Sequence, residues 1–237
     1  MKLKFIGPKE HSIRLQIKLF ALLYLVIILA ACESPKKKES VATSKPIKNF
    51  PERAKAMNIY EVNIRQYTPE GTIIALQIHL LRLKELGVDI LWIMPVQPIS
   101  EKNRKGSLGS YYSIQDYTAV NEDFGSLDDF KSMVNEAHEK DMVVILDWVA
   151  NHTGFDHSWT EIEGYHNTDS SGQVTWPKNT DWTDVADLNY DNREMRQKMI
   201  DEMKWWIIET DIDGFRCDVA GEVPDDFWTV AIDSLTS

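Results

Sequence analysis

The sequence predicts an α/β protein built on a parallel sheet, and three observations carry that prediction. Short strand-like runs alternate with helical stretches between residues 57 and 219, an order that leads to parallel pairing through right-handed crossovers. The runs Val88–Met94 (VDILWIM) and Met142–Val149 (MVVILDWV) are almost continuously apolar, as expected of strands covered on both faces. Polar residues gather at the carboxyl ends of strands: Asp147, Asn151 and His152 after one, Arg216 and Asp218 on another. A doubly wound sheet and a (β/α)8 barrel both begin this way. No Gly-rich phosphate loop follows the first strand, which weakens the dinucleotide-binding form of the doubly wound sheet. Chemistry at carboxyl strand ends suits a barrel.

In chain order, residues 1–18 are dotted with Lys and Arg, and Leu19–Ala31 is an apolar run of 13 residues without a charge. That is short for a membrane span, and its basic flank suits a secretory signal over residues 1–31. The run ends Leu29-Ala30-Ala31-Cys32, which resembles a bacterial lipobox. Cleavage before Cys32 would free a thiol for lipid, giving an exported protein anchored to a membrane in the periplasm or at the cell surface. Residues 32–49, rich in Lys, Ser and Pro, bury too little to order themselves and read as a flexible tether. With Cys32 lipidated, Cys217 has no disulfide partner among the two cysteines. Cys217 itself reads as a small buried apolar residue rather than a nucleophile.

Residues 50–237 form the body. Met57–Ile64 alternates and is the first strand. Thr72 opens one helix that ends at Gly87, and Ser126 caps another over Leu127–Glu139, with Asp128 and Asp129 in its first turn. A polar loop spans Gln97–Asn121, and a longer polar excursion covers about 153–186. Asn192–Glu209 is helical and Ile212–Val219 is the fourth strand. The formal net charge is -11; five basic residues against Glu10 give the first 32 residues +4, so the rest carries -15. Such a body repels phosphate backbones and argues against nucleic acid as a partner.

The fourth strand holds Asp213–Ala220, DGFRCDVA, where Phe215, Cys217 and Val219 alternate with Arg216 and Asp218. An Arg and an Asp two apart on a strand point the same way, which sets a cation beside a carboxylate. The pair is either a structural ion pair or a carboxylate held ready for nucleophilic attack on an acetal carbon.

DWVANH (147–152), DGFRCDVA about 65 residues later, and GSYYSIQDYTAVNEDFGSLDDF (109–130) together resemble signature regions of the α-amylase superfamily, glycoside hydrolase family 13. The similarity runs from about Ile59 to the C-terminus. It implies a TIM (β/α)8 barrel, of which this chain would hold about the first four β/α units, with 153–186 as a B-domain-like excursion after the third strand. It implies an enzyme acting on α-linked glucan or maltooligosaccharide by a retaining mechanism, hydrolase or transglycosylase. Asp218 matches the nucleophile and Arg216 the residue orienting it. His152 matches a sugar-hydroxyl donor, Asp147 a support for that region, and Tyr112 the aromatic platform under the same sugar. Asn151 and Asp187 match positions that hold structural calcium in many members, and oxygen ligands from separate segments suit calcium.

Plainer readings stand beside these. Asn151 can cap, His152 can be a surface histidine, Tyr112 can pack in the core, and Asp187 can cap a turn. His157, His166, Trp159, Trp176 and Trp182 can either line a sugar cleft or pack the excursion. The chain departs from the family at Gly221-Glu222, where calcium-binding α-amylases often carry Lys-His, which puts both calcium and the usual product-side subsite in doubt. The family's general acid, a Glu ending the fifth strand, has no counterpart before Ser237, 19 residues past Asp218; Glu222 lies in the right loop but does not match that acid. The sequence therefore reads as part of a longer gene product, inactive on starch as it stands. A non-catalytic glucan-binding lipoprotein is the remaining alternative.

Overall fold

The computed structural model describes residues 54–236; the leader, Cys32 and the tether lie outside the described residues. The strands there are β1 (Ile59–Val62), β2 (Ile90–Ile93), β3 (Val143–Val149), β4 (His152–Gly154), β5 (Val185–Asp187) and β6 (Gly214–Asp218). Four of them form one parallel sheet in the order β1-β2-β3-β6. A doubly wound sheet reverses its strand order at a switch point. Here the spatial order follows the chain order throughout, as in a barrel wall, so the sheet is part of a TIM barrel.

The helices are α1 (Ile64–Tyr67), α2 (Ile73–Gln77), α3 (Leu80–Glu85), α4 (Leu127–Glu139), α5 (Arg193–Thr210) and α6 (Asp225–Leu235). Helix α4 starts where its sequence says it should. Ser126 Oγ accepts from the Asp129 amide at 3.1 Å, and Asp129 Oδ2 accepts from the Ser126 amide at 2.8 Å, a reciprocal capping box. Asn192 Oδ1 caps α5 by accepting from Glu194 N at 2.9 Å and Met195 N at 3.0 Å. The single helix expected after Thr72 is instead two, α2 and α3, broken at Ile78-His79. The His79 amide reaches back only three residues, to Leu76 O at 2.8 Å, which tightens the turn. There the His79 ring packs edge-on against Tyr67, centroids 5.6 Å apart.

Leu91, Ile93, Val144, Leu146 and Trp148 from the sheet and Leu76, Leu80, Phe130, Met133, Met199 and Trp206 from the helices are fully or almost fully buried and share one core. Tyr117 pins the long 97–121 loop to that core. Its hydroxyl donates to Val149 O (2.7 Å) and to His152 O (3.0 Å), its carbonyl accepts from Trp206 Nε1 (2.6 Å), and its ring stacks on Trp148. The 153–186 excursion is closed at its base by β4 and β5, which pair antiparallel with His152 opposite Asp187. At that base Gly154 donates its amide to Ile114 O at 2.7 Å. A Cβ there would meet Ser100 Oγ at 2.7 Å and Ile114 O at 3.0 Å. Gly154→Ala should therefore push the 100–114 loop off β4 and cost about 1–3 kcal/mol, measured by urea denaturation.

At the amino-terminal end of the sheet, His138 Nε2 lies 2.9 Å from Asp213 Oδ2, which also accepts from the Val144 amide at 2.8 Å; Asp211 Oδ2 is 3.7 Å from Nδ1. The hydrogen bond to Asp213, followed by the charges of Asp213 and Asp211, raises the His138 pKa against its burial. A raised folded value means that the contribution is complete below the unfolded value near 6.5 and fades as pH rises through the folded one. Wild-type minus His138→Asn stability should thus be about 1 kcal/mol near pH 6 and shrink toward pH 8.5. A gap that widens with pH would contradict the pairing.

Candidate active site

The site is assembled where the carboxyl ends of β2, β3 and β6 meet. Arg216 and Asp218 alternate with Phe215 and Cys217 along β6, and register places Asp147 of β3 opposite Arg216. Arg216 Nη1 lies 2.7 Å from Asp218 Oδ1 and 3.1 and 3.3 Å from the two oxygens of Asp147. One guanidinium therefore holds both carboxylates. Asp147 is 0% exposed and takes two further donors, Trp92 Nε1 at 3.1 Å and the Tyr112 hydroxyl at 3.2 Å. Burial pushes the Asp147 carboxyl up, while Arg216 and Trp92 draw it back down. Burial and then the charges of Asp147 and Asp218 push the Tyr112 phenol far above its ordinary value, so it stays a hydrogen-bond donor.

Trp92 is the member of this cluster that sequence reasoning did not single out. Its ring lies under the Arg216 guanidinium at 4.6 Å, a cation–π contact, while its indole N–H anchors Asp147. Asp218 is followed by Val219 at φ 41° and ψ 38°. A β-branched residue in the left-handed region costs about 1–3 kcal/mol, and here it turns the chain sharply at the end of β6.

These residues open into a cavity of about 230 Å³ lined by Tyr112, His152, Trp182, Asp184, Asp218 and Val219 among others. Burial pushes His152 down to about 4 against the charge of Asp218, so the ring is neutral. Asn151 Nδ2 lies 3.1 Å from its Nδ1. The Trp182 ring stands edge-on to His152 at 5.8 Å. Asp184, in an irregular turn without sequence signal, is paired with Lys105 at 3.4 Å. Larger cavities of about 610 and 440 Å³ lie elsewhere, but Asp218 lines neither.

The other sequence candidates separate clearly. His157 and Trp159 are buried against Tyr117 in a ring cluster, with centroids 5.0–5.3 Å apart, and burial pushes His157 and His166 down to about 4. They pack the excursion. Burial also pushes the Cys217 thiol up to about 12, so it is no nucleophile at neutral pH. Glu222 is exposed, ends a short 3-10 turn, and does not line the cavity.

Asn151 and Asp187 are brought close, with the Leu188 amide 3.4 Å from Asn151 O. Asp187 Oδ2 accepts from Asn167 Nδ2 at 2.8 Å, and burial raises its carboxyl, an environment that a cation would relieve. Among the described residues, no group of three or more His, Cys, Asp or Glu is placed to hold a metal ion.

The profile of the alpha-amylase catalytic domain matches residues 49–183 and 172–231. Alpha-amylase 3 of Dictyoglomus thermophilum is 29% identical over 192 residues, covering 70% of this chain and 37% of that protein. Oligo-1,6-glucosidase of Bacillus cereus is 32% identical over 169 residues, covering 58% of this chain and 29% of the enzyme. The crystal structure of an alpha-amylase from Lactobacillus plantarum superposes with TM-score 0.73 at 44% identity, over 76% of this chain and 42% of that one. The chain thus spans well under half the length of these relatives.

Proposed function

We propose, because this chain belongs to the alpha-amylase catalytic-domain family, that it carries the nucleophile side of a retaining α-glucan glycoside hydrolase. The observation that carries this reading is the single guanidinium of Arg216 shared by Asp218 at 2.7 Å and the buried Asp147 at 3.1 Å, with Asp218 itself lining a cavity. Arg216 engages Asp218 Oδ1, which leaves Oδ2 to attack. The new bond from Asp218 to the anomeric carbon forms as the glycosidic C–O bond breaks, and the leaving oxygen takes a proton from a general acid. Water, deprotonated by the same group, then cleaves the glycosyl ester and restores the carboxylate.

His152 would hydrogen-bond a sugar hydroxyl, and Tyr112, tethered to Asp147, would form the face under the ring. The second carboxylate at the cavity, Asp184, is committed to Lys105, so the general acid is not assigned to it. The test is the anomeric form first released from an aryl α-glucoside, followed by proton NMR. An α-product supports the reading and a β-product overturns it. Longer oligosaccharides among the products would assign a transferase on the same site.

Export on a lipid anchor belongs to the same reading. Labelled palmitate should enter the protein in a bacterial host and be lost in Cys32→Ser. Calcium, if held by Asn151 and Asp187, would stabilise the base of the excursion. Chelator should then lower Tm by several degrees, the equivalent of about 1 kcal/mol in a domain this size, and an unchanged Tm would rule calcium out there.

A further inference from the structure

The excursion builds a second cavity, about 440 Å³, behind the wall that closes the catalytic one. Trp182, Asp184 and Val185 face the catalytic cavity, whereas Thr183, between them in sequence, lines the other. The second cavity is lined by Trp176, 45% exposed, and the buried Phe155, together with Lys102, Asn103, Gln173 and Thr183. Of the three tryptophans singled out in the excursion, Trp159 packs and Trp182 serves the catalytic cavity. Trp176 has no such employment.

Hydrogen bonds tie down the 99–105 loop on one side of this cavity. Asp156 Oδ2 accepts from the amides of Glu101 (2.8 Å) and Lys102 (3.3 Å), and Arg104 holds Ser100 O at 2.9 Å and Ile99 O at 3.0 Å. Lys105 ties the same loop to Asp181 O and to Asp184. Asn103 sits in the left-handed region at φ 61°, which holds the turn tight. Loops fixed in advance bind without the entropy cost of ordering themselves.

We propose that this cavity is a second glucan-binding site, in which a glucose unit of an α-glucan stacks on Trp176 while its hydroxyls meet the surrounding polar side chains. A sugar ring presents an apolar C–H face and a polar rim, and an exposed indole edged with amide, hydroxyl and ammonium groups matches both. Among the described residues Lys102 is the one charged residue of the lining, which suits a neutral ligand. The shared wall at Trp182–Val185 makes the site adjacent to the catalytic one, so a single polysaccharide can occupy both. The choice of α-glucan rests on the function proposed above.

The experiment follows the indole N–H resonances of the full chain, labelled with nitrogen-15, as maltoheptaose is added. Trp176→Phe and Trp182→Phe assign the two relevant signals. The Trp176 signal should shift saturably, and should still do so in His152→Ala, which impairs only the catalytic cavity. Trp176→Ala should weaken retention in amylose-containing native gels about tenfold, with Trp176→Phe close to wild type.

A Trp182 signal that moves while Trp176 stays still leaves the catalytic reading standing and overturns the second site. A moving Trp176 with a still Trp182 supports the second site and counts against the catalytic reading. If neither moves, both fail. A Trp176 signal that responds to cellohexaose but not to maltoheptaose overturns the α-glucan assignment.

Discussion

Arg216→Met is expected to destabilise the protein by about 3 kcal/mol at neutral pH, the low end for stripping the cation from a buried carboxylate, because the guanidinium itself is partly exposed. Asp147 has no exposure to water, and Arg216 is the cation on it, with both oxygens within 3.3 Å. Trp92 and Tyr112 would remain as neutral donors, too weak to hold a buried charge alone. In the variant Asp147 would take up a proton, so its folded pKa would lie well above the unfolded one. Such a group contributes stability that is present below the unfolded pKa and lost as pH rises through the folded value. The deficit should accordingly be smaller at pH 5 than at pH 8, in urea denaturation at both. Arg216→Lys, which keeps the charge but not the planar fork or the stacking on Trp92, should fall between. A loss below about 1 kcal/mol at both pH values would mean that water already reaches Asp147.

The parts of this site legible from sequence are those where a local rule acts alone. Alternation along DGFRCDVA puts Arg216 and Asp218 on one side of a strand, and the structure joins them at 2.7 Å. Ser126 followed three residues later by Asp129 announces a helix start, and the capping box is there. Where a rule has no purchase, the sequence is silent. Trp92 lies in the run VDILWIM, which is apolar on both faces, so no period reveals which way its ring points. Only the register of β2 on β3, with Trp92 opposite Ile145 and so two residues short of Asp147, brings it under Arg216. Asp184 and Trp182 reach the cavity through an irregular turn, which has no period at all. The break at Ile78-His79 is invisible for a related reason: residues 72–87 have good helical spacing, and a contact with Tyr67 overrides it. Packing likewise parts Trp159 from Trp176, two excursion tryptophans with opposite exposure.

Asp218 is expected to be the one residue labelled covalently by 5-fluoro-α-glucosyl fluoride, and Asp218→Asn should abolish that labelling. Fluoride departs without needing a proton, so the experiment isolates the nucleophile from whichever group serves as general acid. Fluorine beside the ring oxygen destabilises the oxocarbenium-like transition states of both steps, while the good leaving group keeps the first step fast enough for the ester to accumulate. Peptide mapping should place the added mass in the segment that contains Asp213–Ala220. The substitution is close to isosteric and leaves Arg216 paired with Asp147, so the fold should survive it, with Tm within a few degrees of wild type. Turnover of any substrate that depends on this site should fall at least about 10³-fold, because the other described carboxylate lining the cavity, Asp184, is tied to Lys105 and cannot replace it. Asp218→Gly goes further, since it opens room for an external nucleophile. With azide and α-glucosyl fluoride it should give β-glucosyl azide, the product of a single inverting displacement from the face that Asp218 occupied. Labelling at Asp147 or Asp184 instead, or α-glucosyl azide as the rescue product, would remove Asp218 from the role.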